Sequence, residues 1–521
     1  MSNDHKGDVE ERLAALVSNA TAIRTVASAV EGTLGPKGLN VMLVDRFGDT
    51  TVTNDGITIL KKIDTNHPAA RMLINVARAQ EDEVGDGTTT AAILAGALVT
   101  EGLNQAARGV PVTKVIEGMT AGLRHAGEYV KRSSRRIDDL DSPLLRSAAL
   151  ISGRANEEIA DLVVEAARMI GKEKLQDRDF RLAKTVLAKE GADSEVFLGL
   201  ILDKGRISKQ MPKEVTDCKV LVVDDALEPE KVEEDALGTE SGFQRYLQLR
   251  EEFAAGLRKL AELGVNVVFT AKGIDDMAEE VFVEAGILAV RRLSGRDIAK
   301  LAEHTGARTV KRSILNRSNE DVSAVLGHCK RVYEDEHLEH VRVLGGSGKA
   351  VATILVGATT EEVKDERERI AQDAAAAVQG AFLGGVVPGG GAIEMGAARS
   401  LVEFKDTLKG MAAYGVDCVI EALRRPLAQI VSNAGFNPLE KVEDVAAAQA
   451  KTGSNALAID CDTGEVADML EMGVLDPTPV KLHALKAAGE VAEAVLRINT
   501  IIRKREENTP TPPPQTPEYV P

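Results

Sequence analysis

Gly85–Thr90 reads GDGTTT, which places a carboxylate between two glycines, then three hydroxyls, then the apolar run AAILAGALV. Glycines leave backbone N–H groups open to an anion, and the positive end of a following helix favours phosphate. Hydroxyls can donate to phosphate oxygens, and a single carboxylate suits Mg²⁺, a hard ion that takes few protein oxygens. A helix N-cap accounts for part of the pattern, yet a cap needs one Ser, Thr or Asp rather than the whole set. On these residues alone both readings stand.

Four further segments are rich in glycine or aspartate: EGTLGPKG (Glu31–Gly38), TNDGIT (Thr53–Thr58), AQDAAAAV leading to GGVVPGGGAIE (Ala371–Glu394), and GVLDP (Gly473–Pro477). Each has a plain reading. The first is a turn between helix and strand, Asp55 sits in a common turn tripeptide, and PGGG is a loop. Asp373 in an alanine-rich helix is unfavourable by propensity, so it either faces solvent or orients water. No segment fits GxxxxGK[ST] or GxGxxG. Together they supply anion cradles, a metal carboxylate and a residue to position water, the needs of phosphoryl chemistry. Composition and spacing reach a candidate Mg-nucleotide site and stop there.

The elements that must position these residues fall in three stretches. Val9–Val30, PAARMLINVARAQEDEV and TTTAAILAGALVTEGLNQAA have helical spacing of apolar residues. Between them LNVMLVDRFGDTTVTNDGITIL predicts a β-hairpin whose edge would stay exposed unless another chain pairs with it. CKVLVVDD, VNVVFTA, ILAVRRL and ARTV are short strand-like runs alternating with helical segments, which predicts an α/β unit over about 198–351. After its first strand comes a long segment whose second half is an amphipathic helix carrying Phe243, Tyr246, Leu249, Phe253, Leu257 and Leu260; the first half should project. From residue 352 the chain turns helical again, in TTEEVKDERERIAQDAAAAVQGAF and VKLHALKAAGEVAEAVLRINTII. It ends in a tail with six of the 17 prolines in its last 12 residues, which predicts disorder from about 508. The expected fold is multidomain: a helical domain built from both chain ends, with an α/β domain inserted.

Totals narrow the function. Acidic residues outnumber basic ones 81 to 64, a formal charge of −17, which disfavours nucleic acid and anionic lipid as partners. Aromatics are 3% and Trp is absent, a poor basis for stacking on bases. The four cysteines form no CxxC pair, which fits a reducing compartment. Ala374–Ile393 lacks charge but holds six glycines and Pro388, so it is not expected to span a membrane. The polar MSNDHKGDVEERL has no signal-peptide core, and a cytoplasmic setting is expected.

In order, TLGPKG, VTNDGITIL, GDGTTTAAILAGAL, GGVVPGGGAIE and MGVLDP resemble the chaperonins, over about 13–503. The long segment after VLVVDDALE resembles the group II type, in which each subunit carries its own lid. ISGRANEE stands where group II has lysine in ISGK, and QDAA where it has HDAL; with these departures the chain resembles the divergent bacterial group III branch. The resemblance implies an equatorial ATPase domain (1–138 and 385–521), an intermediate hinge (139–197 and 352–384) and an apical domain with lid protrusion (198–351). It implies ATP/ADP and Mg²⁺ as cofactors, with K⁺ a further candidate ion. Thr33, Leu34, Gly35 and Pro36, with Gly87, Thr88, Thr89 and Thr90, would meet the phosphates, and Asp86 would hold the metal. Asp55 and Asp373 would orient or activate water, Gly390 and Asp476 would meet the ribose side, and Asn455 and Ala456 the adenine. Asp373 on the hinge couples hydrolysis to domain movement. Arg154 would sense the γ-phosphate, although a planar guanidinium is not equivalent to lysine.

Implied partners are non-native proteins and the chain itself, in two stacked rings of eight, with no separate lid cochaperone, no nucleic acid and no membrane. The lid segment spans roughly Glu228–Tyr246, with Leu237 and Phe243 as candidate apolar contacts. The hairpin would pair with a neighbour's termini. Two rivals remain: an ATPase ring or filament scaffold without folding activity, and an ATP-using enzyme of small oligomeric size.

Overall fold

The computed structural model describes residues 4–232 and 238–500. Leu237 and the proline-rich tail lie outside the described residues. The chain opens with helix α1 (Asp4–Glu31) and a hairpin of β1 (Val41–Val44) and β2 (Thr50–Thr53), Val41 opposite Thr53. Asp45 Oδ1 closes the RFGD turn by accepting from the Phe47 and Asp49 N–H groups, at 2.8 and 2.9 Å. Met42, Val44, Phe47 and Val52 are exposed on this two-stranded ribbon. Among the described residues no other strand pairs with it, and an apolar ribbon of this kind calls for a covering partner.

Helices α2 (Gly56–Lys62), α3 (Pro68–Val84), α4 (Thr88–Ala107) and α5 (Val112–Ser133) follow. α4 is apolar nearly all round, with Ala91–Val99 buried throughout, so it must sit at the centre of a bundle. It packs against α1, α3, α5 and, from the far end of the chain, the Ala413–Asn433 and Thr478–Leu496 helices. One core therefore joins Ile23, Leu73, Leu94 and Leu98 to Ile393, Val419, Leu485 and Ala488. Both chain ends build one helical body, as the periodicity predicts.

A second core lies between α6 (Pro143–Ser152), α7 (Glu157–Ile170) and the long Glu361–Gly384 helix, through Leu145, Ile159, Val163, Ala371, Ala374 and Val378. Here the alanine-rich AQDAAAAV finds its reason. A Cβ at Gly153 would lie 3.5 Å from the Ala374 Cβ, a closeness that larger residues forbid.

The inserted part is an eight-stranded mixed sheet in the order β3-β10-β4-β9-β8-β5-β6-β7. The strands are β3 (Val186–Glu190), β4 (Glu195–Leu202), β5 (Glu214–Val223), β6 (Val267–Thr270), β7 (Leu288–Val290), β8 (Gly327–Asp335), β9 (His340–Gly346) and β10 (Ala352–Ala358). The β5-β6-β7 part is parallel, with the helices expected between its strands, whereas β8, β9 and β4 run antiparallel to their neighbours. ARTV is not a strand: Val310 makes only an isolated bridge to Val223. The sheet continues through residues 197–198, which lie inside β4. Residues Leu249, Phe253, Leu257 and Leu260 of the Glu240–Glu262 helix are buried, while Phe243 is half exposed and stacks on Tyr246 at 6.3 Å. The C-terminal helix stops at Leu496 rather than running on to Ile502. Among the described residues no helix is long and apolar enough to cross a membrane.

Candidate functional site

The GDGTTT loop joins α3 to α4. Gly85 caps α3 at φ 68°, and Gly87 is the N-cap of α4 at φ 76°, both left-handed. No side chain caps α4. The capping reading of Asp86 and the threonines thus fails in its simple form, because the cap is a glycine. The first N–H groups of α4 are left to other partners. Asp86 instead accepts the Gly87 N–H on Oδ1 (2.6 Å) and the Ser152 hydroxyl on Oδ2 (2.8 Å). A Cβ at Gly56 would fall 2.4 Å from Thr89 Oγ1, so glycine there lets the start of α2 meet the start of α4.

Asp55 is the N-cap of α2, its Oδ2 accepting from the Thr58 N–H (3.0 Å) and hydroxyl (2.6 Å). The Glu361–Gly384 helix rests on the loop: a Cβ at Gly85 would come 2.7 Å from the Ala376 Cβ. Asp373, one turn earlier on that helix, is half-buried rather than solvent-facing. Burial, then the charges of Asp86, Asp55 and Glu81, hold its carboxyl well above the usual range, with Arg154 opposing. Burial and Asp476 also raise Asp86, against the Ser152 and Gly87 hydrogen bonds and Lys481. Glu81 is pushed up to about 7 by burial, Asp55 and Asp86. Four carboxylates thus crowd one region. No three His, Cys, Asp or Glu among the described residues converge into a ready-made metal cage. That donor set fits Mg²⁺ held by one or two carboxylates together with phosphate oxygens.

Arg154 follows α6 with φ 54°, and Ala155 with φ 59°. Two consecutive non-glycine residues in the left-handed region cost on the order of 1 kcal/mol each, so the surroundings must hold this turn in place. The guanidinium is ion-paired with Glu366, which also binds Arg369 at 2.6 Å. From the turn after α6, Arg154 therefore reaches across to the helix that carries Asp373, with its charge already engaged.

One helix, Ala413–Asn433, joins the Thr33–Pro36 turn to the Gly389–Gly391 turn. Gly391 packs on Leu427, Gly35 on Ile430, and Asn433 Nδ2 donates to the Glu31 and Leu34 carbonyls at 2.9 and 2.8 Å. Spacings of three place all three on one helix face. The Thr33 hydroxyl donates to the Val30 carbonyl at 2.8 Å and closes α1, while Gly35 turns the chain toward Pro36 at φ 85°. Gly390 abuts Met469, whose N–H donates to the Ala456 carbonyl at 2.8 Å; Asn455 Nδ2 donates to the Ser133 hydroxyl at 2.9 Å. Asp476 pairs with Val387 across two short strands, β11 (Val386–Pro388) and Leu475–Pro477. A Cβ at Gly389 would lie 3.1 Å from Asp476 Oδ2, and one at Gly87 would lie 2.6 Å from Val480. Residues 476–480 thus connect the Gly389–Gly391 turn to the Asp86 loop.

Sequence reasoning missed Gln80, Glu81, Ser152, Asn433 and Lys481. Buried Gln80 donates to the Asp86 carbonyl (2.8 Å) and the Val480 carbonyl (3.1 Å) and meets His483 Nδ1 at 2.7 Å. A cavity of about 650 Å³ between α5 and the Thr478–Leu496 helix is lined by other residues, among them Leu123, Leu482 and His483.

The crowding has a measurable sign. Carboxyls raised in the folded state bind protons that the unfolded chain has already released. In the nucleotide- and metal-free protein, stability should therefore fall as pH rises from about 4.5 to about 7, the interval between the ordinary and raised Glu81 values. Binding of Mg-nucleotide near pH 6.5 should expel these protons. Calorimetry in buffers of different ionisation enthalpy should give net proton release; proton uptake would contradict the assignment.

These features define a class before any relative is considered: a two-ended helical domain with an inserted sheet and a phosphate-type loop beneath a carboxylate-bearing helix. The chain matches the TCP-1/cpn60 chaperonin family over residues 26–506, and it belongs to that family. It is 37% identical over 508 residues to a thermosome subunit of Methanopyrus kandleri, covering 94% of this chain and 92% of that one. The thermosome beta subunit of Aeropyrum pernix is likewise 37% identical over 505 residues, covering 94% and 91%. Among solved structures, a group III chaperonin in the open state is 46% identical, with TM-score 0.88 over 95% of this chain and 100% of that one. The class is that of an ATP-dependent chaperonin, with a group III structure as neighbour.

Proposed function

We propose that the chain is a Mg-dependent ATPase whose hydrolysis drives capture and folding of non-native proteins inside a ring closed by its own lid segments. The supporting observation is the packing of three distant stretches, those carrying Asp55, Asp86 and Asp373, around the uncapped start of α4, with Gly56 against Thr89 and Ala376 against Gly85. Asp86 would hold Mg²⁺, which neutralises charge on the phosphate oxygens. The N–H groups and hydroxyls of Thr88, Thr89 and Thr90, the Gly87 turn and the Thr33–Pro36 backbone would bind the phosphates. Asp373 would accept the proton of the attacking water, its raised proton affinity suiting a base, and Asp55 would orient that water. Gly390 and Asp476 would meet the ribose, Asn455 and Ala456 the adenine, and Arg154 would move from Glu366 toward the γ-phosphate.

In this reading residues 1–138 and 385–521 form the ATPase domain, 139–197 and 352–384 the hinge, and 198–351 the client-binding domain with the lid. The apolar hairpin ribbon would be covered by a neighbour in a double ring of two times eight, cytoplasmic and needing no cochaperone for closure. Negative-stain images with and without Mg-ATP test the assembly. Double rings that close on addition of Mg-ATP are expected. Particles smaller than a double ring would overturn the reading, and rings that never close would favour a scaffold.

A further inference from the structure

Lys481 lies in the first turns of the Thr478–Leu496 helix, with its ammonium 2.7 Å from Asp476 Oδ2 and 2.8 Å from Glu394 Oε1. Its side chain is 11% exposed and that of Glu394 only 4%. Among the described residues no other donor reaches either Glu394 oxygen. Burial alone would favour a neutral amine, but Asp476 and Glu394 outweigh it and raise Lys481. The adjoining cavity measures about 10 Å³, room for one water at most, so solvent could not take over the role of the ammonium.

A buried ion pair is a poor device for stability, since apolar residues of similar volume often serve as well. What hydrocarbon cannot supply is a fixed direction for a carboxylate. Glu394 is enclosed, whereas Asp476 is 21% exposed and its Oδ2 faces Gly389. The strand pairing with Val387 fixes the Asp476 backbone but leaves its side-chain rotamer free. Lys481 removes that freedom from the interior side. It also lies on a segment that touches both the Gly389–Gly391 turn and, through Val480, the Asp86 loop.

We propose that Lys481 is a positioning residue of the nucleotide site: anchored on the buried Glu394, it holds the Asp476 carboxylate at the Gly389–Gly391 turn, where ribose hydroxyls would be recognised. The inference rests on Asp476 being a ribose-side residue, and it gives Lys481 no part in hydrolysis. It therefore separates affinity from turnover.

The test is a double-mutant cycle on the assembled full chain with Lys481→Met, Asp476→Asn and both together. Mg-ATP affinity, kcat and discrimination against 2′- and 3′-deoxy-ATP are measured. Each single change should weaken Mg-ATP binding roughly tenfold, more than it lowers kcat, and the pair should be no worse than the weaker single variant. Lys481→Met should also lose the preference for ATP over the deoxy analogues, which a merely structural lysine would not alter. Additive losses with discrimination intact would overturn the proposal. Should Lys481→Met fail to assemble, Lys481→Met with Glu394→Gln removes the stranded carboxylate and carries the same test. Wild-type protein that binds no Mg-ATP would instead remove the site reading itself; a binding-competent Lys481 variant with unchanged discrimination removes only the positioning role.

Discussion

Asp373→Ala is expected to lower ATP turnover roughly 100-fold or more while Mg-ATP still binds, the range over which a positioned general base acts. The structure separates the two effects. Asp373 stands on the Glu361–Gly384 helix, outside the loops that would hold the phosphates, so its removal takes away no phosphate or metal donor. The helix itself gains from the change. Alanine is the best helix former, and the lost carboxyl is one that burial and three neighbouring acids disfavour in its charged form. Thermal unfolding of the nucleotide-free variant should therefore occur no lower than that of wild type. Turnover measured beside nucleotide binding checks both halves. Unchanged hydrolysis would remove Asp373 from the chemistry, and lost binding would place it among the ligand contacts.

Asp86→Ala is expected to act the other way. Nucleotide affinity in Mg²⁺ should fall to the value wild type shows in EDTA, a loss of roughly 100-fold. Asp86 is held from both sides, by the Gly87 N–H on one oxygen and the Ser152 hydroxyl on the other. Groups that orient a metal ligand typically carry about 10- to 100-fold of metal affinity. Ser152→Ala should accordingly lie at the lower end of that range and Asp86→Ala beyond it. Titrations with Mg-nucleotide, repeated in EDTA, make the comparison. Affinity in Asp86→Ala that still depends on Mg²⁺ would move the metal to another carboxylate, with Glu81 the nearest in kind.

What could be read from the sequence was local. GDGTTT, NDG and PGGG announce themselves because glycine, aspartate and threonine at adjacent positions fix both the backbone and the chemistry. Helical spacing foretold α1, α3, α4 and the buried stripe Leu249–Leu260. The missed residues are those whose role comes from distance along the chain. Ser152 meets Asp86 across 66 positions and His483 meets Gln80 across 403. Gln80 did leave a signal, a polar residue on the buried face of α3 three positions after Ala77. Glu81 left none, since Glu81, Asp82 and Glu83 read as an ordinary charged helix end. The antiparallel strands β8 and β9 were obscured because GHCKRVYED sets Lys330 beside Arg331 and Glu334 beside Asp335, which breaks a two-residue alternation, and HVRVLGG ends in two glycines. ARTV failed as a strand for the opposite reason: β-prone residues found room for only one bridge at Val223. At α4 the sequence left a side-chain cap and a phosphate site both open, since threonine and aspartate are the usual caps; a left-handed glycine takes the position and releases those side chains for other partners.

Steady-state phosphate release from ATP by the assembled protein, in Mg²⁺ and again in EDTA, tests the central claim most directly. The account predicts turnover that requires Mg²⁺ and that Asp373→Ala nearly abolishes. Turnover in EDTA equal to that in Mg²⁺, or no hydrolysis by intact rings that bind Mg-ATP, would contradict it.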